Sequence, residues 1–312
     1  MAALPDPLAP SRTGASTGRI LAAFGAIYVV WGSTYLAIRF AIETLPPLLM
    51  ASARFLAAGG LLYVWARTRG DAPPTRSQWR SAAVVGGLLF VAGNGSVVVS
   101  EQWVPSGLVA LLVASVPLWM VSVDWLWGSG ARPSRRVGVG LLTGLGGVAF
   151  LAGAPSPGGN PGHRLAGSVL VVLGSVAWAS GSIYARHADI PPRPRLWVGM
   201  QMLAGGGLLL PVALAAGEFA RFDPGGVSPK SLLALAYLVV FGSVVAFTAY
   251  IWLLGVSTPA RVGTYGYVNP VVALFLGWAM AGEPLTFRSL VAAAIIVGSV
   301  VVITTGGAGT RT

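Results

Sequence analysis

The chain predicts an all-α integral membrane protein, with ten transmembrane helices in two inverted-topology repeats of five. Three observations carry this reading. The 312 residues are 55% hydrophobic and only 9% charged, with a mean hydropathy of +0.75; such a composition belongs to membrane-spanning helices rather than to a water-soluble core. Apolar runs recur at close to the ~20 residues that cross a hydrocarbon layer of roughly 30 Å. Residues 31–62 also return at 178–209 at a constant offset of 147, pairing Trp31 with Trp178, Ser33 with Ser180 and Arg39 with Arg186. A long apolar chain that repeats itself once is the mark of a transporter built from two related halves.

The spans are expected at 20–38, 46–66, 81–100, 105–127 and 137–153, then at 165–185, 196–217, 231–254, 259–281 and 287–305. They are continuously apolar, without the alternation a barrel strand shows, so helices are the structure that satisfies their backbone. Residues 1–18 are polar and Pro-containing and read as a disordered cytoplasmic segment. The first repeat then covers 19–153 and the second 165–305. The Pro/Gly-rich stretch 154–164 joins them as an external linker, and 306–312 forms a cytoplasmic tail. Five spans per half force the second half to enter the membrane in the opposite sense. The first apolar run is longer than a signal-peptide core and is expected to remain as a helix.

A net charge of +11 suggests nucleic acid at first sight. Its placement points elsewhere. With the N-terminus in the cytoplasm, 14 of the 20 Lys and Arg fall on that side and five outside, while Arg54 lies within a span. The excess is therefore topological, as the positive-inside rule requires, and no nucleic-acid partner is expected. The chain has no cysteine, which removes thiolate and disulfide chemistry. It contains no zinc-protease, nucleophile-elbow or P-loop motif, so no catalytic group, metal or cofactor is expected. A non-transporting membrane scaffold and an intramembrane enzyme are the competing classes. The missing catalytic constellation speaks against the second, and matched bent helices against the first.

Those bends are expected at Pro117 in span 4 and Pro270 in span 9. Each is followed by a tryptophan eight residues on, Trp125 and Trp278. A proline removes one backbone donor and frees the carbonyl four residues earlier, here Val113 and Gly266. The bends either line a solute path or only shape packing. Arg54, about 12 Å into span 2 at 1.5 Å per residue, must face the interior or snorkel. It attracts an anionic substrate group, or it pairs with carbonyls or with Glu101 to fix the bundle.

Trp31, Thr34 and Tyr35 share one helix face, and Trp178 and Ser182 repeat it in span 6. Tyr265 and Asn269 precede Pro270 at the same spacing, and Asn94 interrupts span 3. Buried amides and hydroxyls in a bilayer need partners, supplied by a solute pocket or by neighbouring helices. Asp124, Glu101 and Glu283 all lie near span ends, so a proton relay has no obvious mid-membrane carrier and movement down a gradient, or exchange, is favoured. Gly140 and Gly144 form a small-xxx-small pair on span 5, which permits a homodimer as an alternative to a monomer.

The run Tyr28-Val29-Val30-Trp31-Gly32-Ser33-Thr34-Tyr35, followed by Arg54-Phe55, resembles the EamA-type members of the drug/metabolite transporter superfamily. So do Tyr267-Val268-Asn269-Pro270-Val271-Val272-Ala273 and Gly282-Glu283-Pro284. The resemblance covers about 19–305. It implies ten helices in two inverted halves and the movement of small metabolites, often amino acids or drugs outward, by alternating access across the inner membrane. It also implies a central cavity drawing on Trp31, Thr34, Asn94, Trp178, Tyr265 and Asn269. One departure stands out: where that family carries a Gly-Glu pair after the fourth helix of each half, the first half here reads Ser129-Gly130.

Overall fold

Prolines set many of the helix starts. The computed structural model describes residues 16–127, 134–152, 161–256 and 265–306. Within them α2 spans Pro47–Thr68, α6 Pro161–Ala185, α7 Pro194–Ala215 and α8 Pro229–Tyr250, the last continuing to Val256. Proline suits the first turn because its missing N–H is an orphan there and its φ is already helical. The remaining long helices are α1 (Thr17–Ala41), α3 (Arg76–Ser100), α4 (Ser106–Trp127), α5 (Arg135–Ala152), α9 (Tyr265–Ala281) and α10 (Phe287–Gly306). A Thr75–Gln78 capping box starts α3. No strand occurs among the described residues.

Seven of these helices are long and apolar enough to cross a membrane: α1 to α4 and α6 to α8. Shorter apolar helices follow at Val268–Ala281 and Phe287–Val302. Large apolar side chains stand outward in the open, among them Leu142 at 75%, Leu233 at 72% and Phe287 at 83% exposure. That is a surface suited to lipid rather than to water. The expectations on residues 1–15, Ser129-Gly130, most of the 154–164 linker and the tail beyond Gly306 fall outside the described residues.

The largest seam is α2 against α7. Ser52 Oγ donates to the Gly206 carbonyl at 2.7 Å, while Gly59 faces Leu203 and Gly199 faces Tyr63. One number rises as the other falls, so the two helices run antiparallel. A Cβ on Gly59 would lie 2.7 Å from the Leu203 nitrogen and 2.9 Å from the Gly199 oxygen. Backbone therefore touches backbone, which only glycine permits. Further large seams join α5 to α10, α3 to α6 and α7, α4 to α6 and α9, and α1 to α8 and α9. Gly144, which the sequence offers to a second copy, is packed against Ser299 and Leu118 of its own chain.

Both ends of the α2–α7 pair are tied by carboxylates. At one end Asp71, just beyond α2, accepts from Arg195 Nε and Nη2 at 3.0 and 2.8 Å. At the other, Glu218, just beyond α7, accepts from the backbone of Leu48 and Leu49 at 3.2 and 2.9 Å. Position 218 lies 147 beyond position 71, the same offset that pairs Trp31 with Trp178. Each half thus anchors the first turn of its partner's second helix.

Candidate solute cavity

Three of the helices widen into π-helical turns: α1 at Ala26–Val30, α3 at Gly87–Asn94 and α8 at Leu238–Val245. A π turn shifts the hydrogen-bond ladder and leaves carbonyls to be satisfied from outside; such turns concentrate at functional sites. In α1 and α8 side chains from other helices supply partners. Trp31 Nε1 donates to the Gly242 carbonyl in α8 at 3.1 Å. With its amide oriented so that the nitrogen faces the two carbonyls, Asn269 donates to the Tyr28 carbonyl in α1 and to the Tyr265 carbonyl, both at 3.2 Å. One asparagine therefore links the widened turn of α1 to the proline helix α9.

These helices surround a cavity of about 460 Å³, inside the range of roughly 300–1,000 Å³ typical of small-molecule sites. Its wall includes Trp31, Thr34, Tyr35, Arg54, Asn94 and Pro117 from the first half, with Trp178, Tyr265, Asn269 and Pro270 from the second. All the residues singled out from the sequence are brought together here except Ser182. Its hydroxyl donates to the Trp178 carbonyl of its own helix at 2.8 Å, and Gly174 and Ser175 form that part of the wall instead.

The two prolines differ. Helix α4 is interrupted between Val113 and Val116, so Pro117 sits in the first turn of the resumed helix. Around the break the Ser115 hydroxyl donates to Leu112 and accepts from Trp119 Nε1 at 3.1 Å. Helix α9 runs on through Pro270 from Tyr265 to Ala281.

One wall is aromatic. The Trp31 ring centroid lies 4.9 Å from Tyr265, 5.2 Å from Phe247 and 5.3 Å from Tyr250, in edge-on or tilted contact. Phe247 and Tyr250 escaped the sequence reading. Their i, i+3 spacing in span 8 is the signal that marks them as one face. Two polar atoms in this region have no hydrogen-bond partner: Arg54 Nη1 and Asn94 Oδ1. Arg54 is 4% exposed. Its Nε donates to Ser243 Oγ at 3.0 Å, in place of the Glu101 pairing considered from the sequence.

The two ends of the cavity differ. At one end Arg39 donates to the Glu101 carbonyl at 2.6 Å. There too Glu283 accepts from the Ser106 and Gly107 amides at 2.7 and 3.1 Å. Pro105 has no side chain that caps α4, so Glu283 supplies the missing acceptors from across the bundle. The preceding Gly282 has φ +65°, which glycine adopts without strain. Glu101 is fully buried at this end, with neither carboxylate oxygen hydrogen-bonded. At the opposite end Arg186 lines the cavity while its side chain is 55% exposed, 3.5 Å from Asp124. Thus a half-exposed side chain borders the cavity at the Arg186 end, while Glu101 and Ser106 are buried at the Glu283 end. Among the described residues no group of three or more His, Asp or Glu is placed to hold a metal ion.

A bundle of long apolar helices round a solute-sized cavity defines a polytopic membrane protein. The chain belongs to the EamA-like transporter family, whose model matches residues 17–153 and again 165–305. It is 40% identical, over 297 residues and 92% of each chain, to a protein of Escherichia coli K12 named as an uncharacterized inner membrane transporter, YedA. It is 27% identical to the uncharacterized transporter YvbV of Bacillus subtilis over 89% of each chain. With PecM of Dickeya dadantii it shares 26% identity over 88% of each. A crystal structure of a protein 21% identical superposes with a TM-score of 0.60, covering 93% of this chain and 98% of that one; that likeness concerns the fold.

Proposed function

We propose that this chain carries small organic metabolites, such as amino acids or drug-like solutes, out across the inner membrane by alternating access. The observation that carries the reading is the cavity itself. Both halves contribute to it: Trp31, Arg54 and Asn94 from one, Trp178, Tyr265 and Asn269 from the other. Substrate contacts are assigned to Trp31, Thr34, Tyr35, Arg54, Asn94, Trp178, Tyr265 and Asn269, with Pro117 and Pro270 shaping the helices that move.

The ten-span, two-repeat topology belongs to the same reading. It is supported by the doubled family match and by the packing. Exchanging each helix with its counterpart five places on turns the α3–α6 seam into α8–α1, and α4–α6 into α9–α1, and both members of each pair occur. The repeat boundaries are 19–153 and 165–305, with the 154–164 linker outside. The basic excess supports cytoplasmic termini, which puts the Arg186 end of the cavity on the cytoplasmic side. The inner-membrane location follows the naming of the Escherichia coli relative. The chain is assigned to the bilayer as a monomer, since Gly144 is occupied within its own bundle.

The test is efflux of a labelled metabolite panel from proteoliposomes. At least one solute is expected to move faster than in empty liposomes. Trp31→Ala and Asn94→Ala should slow it about tenfold or more, if each removes one contact worth ~1.4 kcal/mol in the transition between states. Ser182→Ala, off the cavity wall, should leave the rate unchanged. No flux above empty liposomes across a broad panel would sink the proposal. So would wild-type rates in both wall variants.

A further inference from the structure

The charge on Arg54 has no counter-charge in contact with it. The side chain is 4% exposed and lines the cavity. Its one hydrogen-bond partner is the neutral hydroxyl of Ser243, and Nη1 has none. The ion pairs among the described residues do not include it. The Glu101 carboxylate makes no hydrogen bond to it. A buried guanidinium left this way is costly unless something completes it. An Arg fork offers paired N–H groups that match a carboxylate or a phosphate.

The surroundings say what shape of molecule completes it. Arg54 docks on Ser243, and Trp31 docks on the adjacent Gly242, both within the widened turn of α8. The guanidinium and the indole are thus anchored on consecutive residues of α8, and the guanidinium also lies 5.0 Å from the centroid of the Phe55 ring, another part of the cavity wall. Beyond the indole lie Tyr265 and Phe247, at 4.9 and 5.2 Å. One end of the cavity's polar strip is thus a cation and the next surface is aromatic.

We propose that Arg54 binds the anionic head of the solute, and that the carrier selects small organic acids whose flat apolar body lies against Trp31. This rests on the transport reading above and narrows it to a substrate class. The anion supplies the acceptor that Nη1 lacks and neutralises the buried charge. Neutral and cationic analogues leave the guanidinium uncompensated.

The test uses three molecules of nearly equal size and different head charge: phenylacetate, phenylacetamide and phenethylamine. Each competes with radiolabelled phenylacetate for the detergent-solubilised full-length chain at neutral pH. Phenylacetate should bind about tenfold or more tighter than the other two, the gain of one charge-assisted pair. Arg54→Lys keeps the charge but loses the fork and should keep a reduced preference. Arg54→Gln should abolish it while the protein still elutes as a folded monomer. Equal affinity for the three molecules in the wild-type chain overturns the proposal, whatever the variants do. A preference that survives in Arg54→Gln overturns it as well. If neutral or cationic solutes are transported while the anion is not preferred, the selectivity fails and the transport reading stands. If nothing is transported, the transport reading itself fails.

Discussion

Replacing Glu218 with alanine removes the acceptors for the whole first turn of α2. The accounting at that helix start is complete. Pro46 and Pro47 carry no N–H, and the Met50 amide already donates to the Pro46 carbonyl at 2.9 Å. Only Leu48 and Leu49 are left, and Glu218 accepts from both. The carboxylate is 4% exposed and Leu48 is 7% exposed, so water is a poor substitute at Leu48 and a better one at the half-buried Leu49. Hydrogen bonds to a charged acceptor contribute about 1.5–3 kcal/mol each. With partial rescue at Leu49, Glu218→Ala should cost about 2–4 kcal/mol. Glu218→Gln keeps one acceptor oxygen and the packing, and should cost about half as much. The assay is unfolding by SDS titration, read from tryptophan fluorescence. The chain has eleven tryptophans and no cysteine, so thiol-reactive dyes are of no use. An alanine variant within about 0.5 kcal/mol of wild type would refute the argument, because surface changes away from such features fall in that band. Equal costs for Gln and Ala would refute it too, since they would make side-chain packing the source.

Two further outcomes follow from the same seam. The Arg195 guanidinium, and to a lesser degree Arg193 and Arg67, hold the Asp71 carboxyl below the usual carboxylate range despite its burial. Its stabilising contribution is thus complete above the ordinary value near ~3.9 and is lost only as pH falls through the lower folded value. Wild type should exceed Asp71→Asn in unfolding midpoint by a constant margin from pH ~7 to ~5, and the two should converge below about pH 4; a gap that closes by pH ~6 would count against the pair. Gly59→Ala drives a methyl into the Leu203 and Gly199 backbone, whereas Gly60→Ala meets nothing within 4 Å. The first should destabilise by about 1–3 kcal/mol and the second should be neutral or better; equal midpoint shifts would show that the seam is not close-packed there.

The helices were legible because lipid forces a simple pattern on the chain. Expected spans such as 46–66 and 196–217 match Pro47–Thr68 and Pro194–Ala215 to within two residues. Continuous apolarity, bounding prolines and the lack of charge leave little else to choose. Trp31, Arg54, Asn94 and Asn269 were legible as cavity residues for a related reason: a polar or amphipathic group inside an apolar span must face something other than lipid. The widened turns were not legible. Gly87–Asn94 and Leu238–Val245 carry no residue type that announces an extra residue in the hydrogen-bond ring; the partner of the second, Trp31 Nε1 on the Gly242 carbonyl, comes from a distant helix. Phe247 and Tyr250 were overlooked because aromatics in a span read equally as core, belt or cavity. Ser182 was misjudged in placement because i+4 spacing alone does not put a side chain in the wall. Arg186, one turn beyond Ser182, lines the cavity again, whereas the Ser182 hydroxyl bonds back to the Trp178 carbonyl of its own helix.

The carboxylates show how the chain divides its rigid and movable parts. It has nine Asp and Glu in 312 residues, and those that bridge helices sit at helix ends. Asp71 and Glu218 tie α2 to α7, across a seam where glycine brings backbone onto backbone. Such a seam cannot slide without steric conflict. Glu283 ties the end of α9 to the start of α4, two helices of the cavity wall, and Arg186 faces Asp124 at the other end across an exposed, weakly held pair. On the proposed cycle, moving α9 against α4 must break the Glu283 contacts, while the α2–α7 seam and its Glu218 contacts stay intact. The repeat gives no like acid at Ser129-Gly130. On the proposed cycle, closure of the opposite end is therefore not expected to repeat the Glu283 contact.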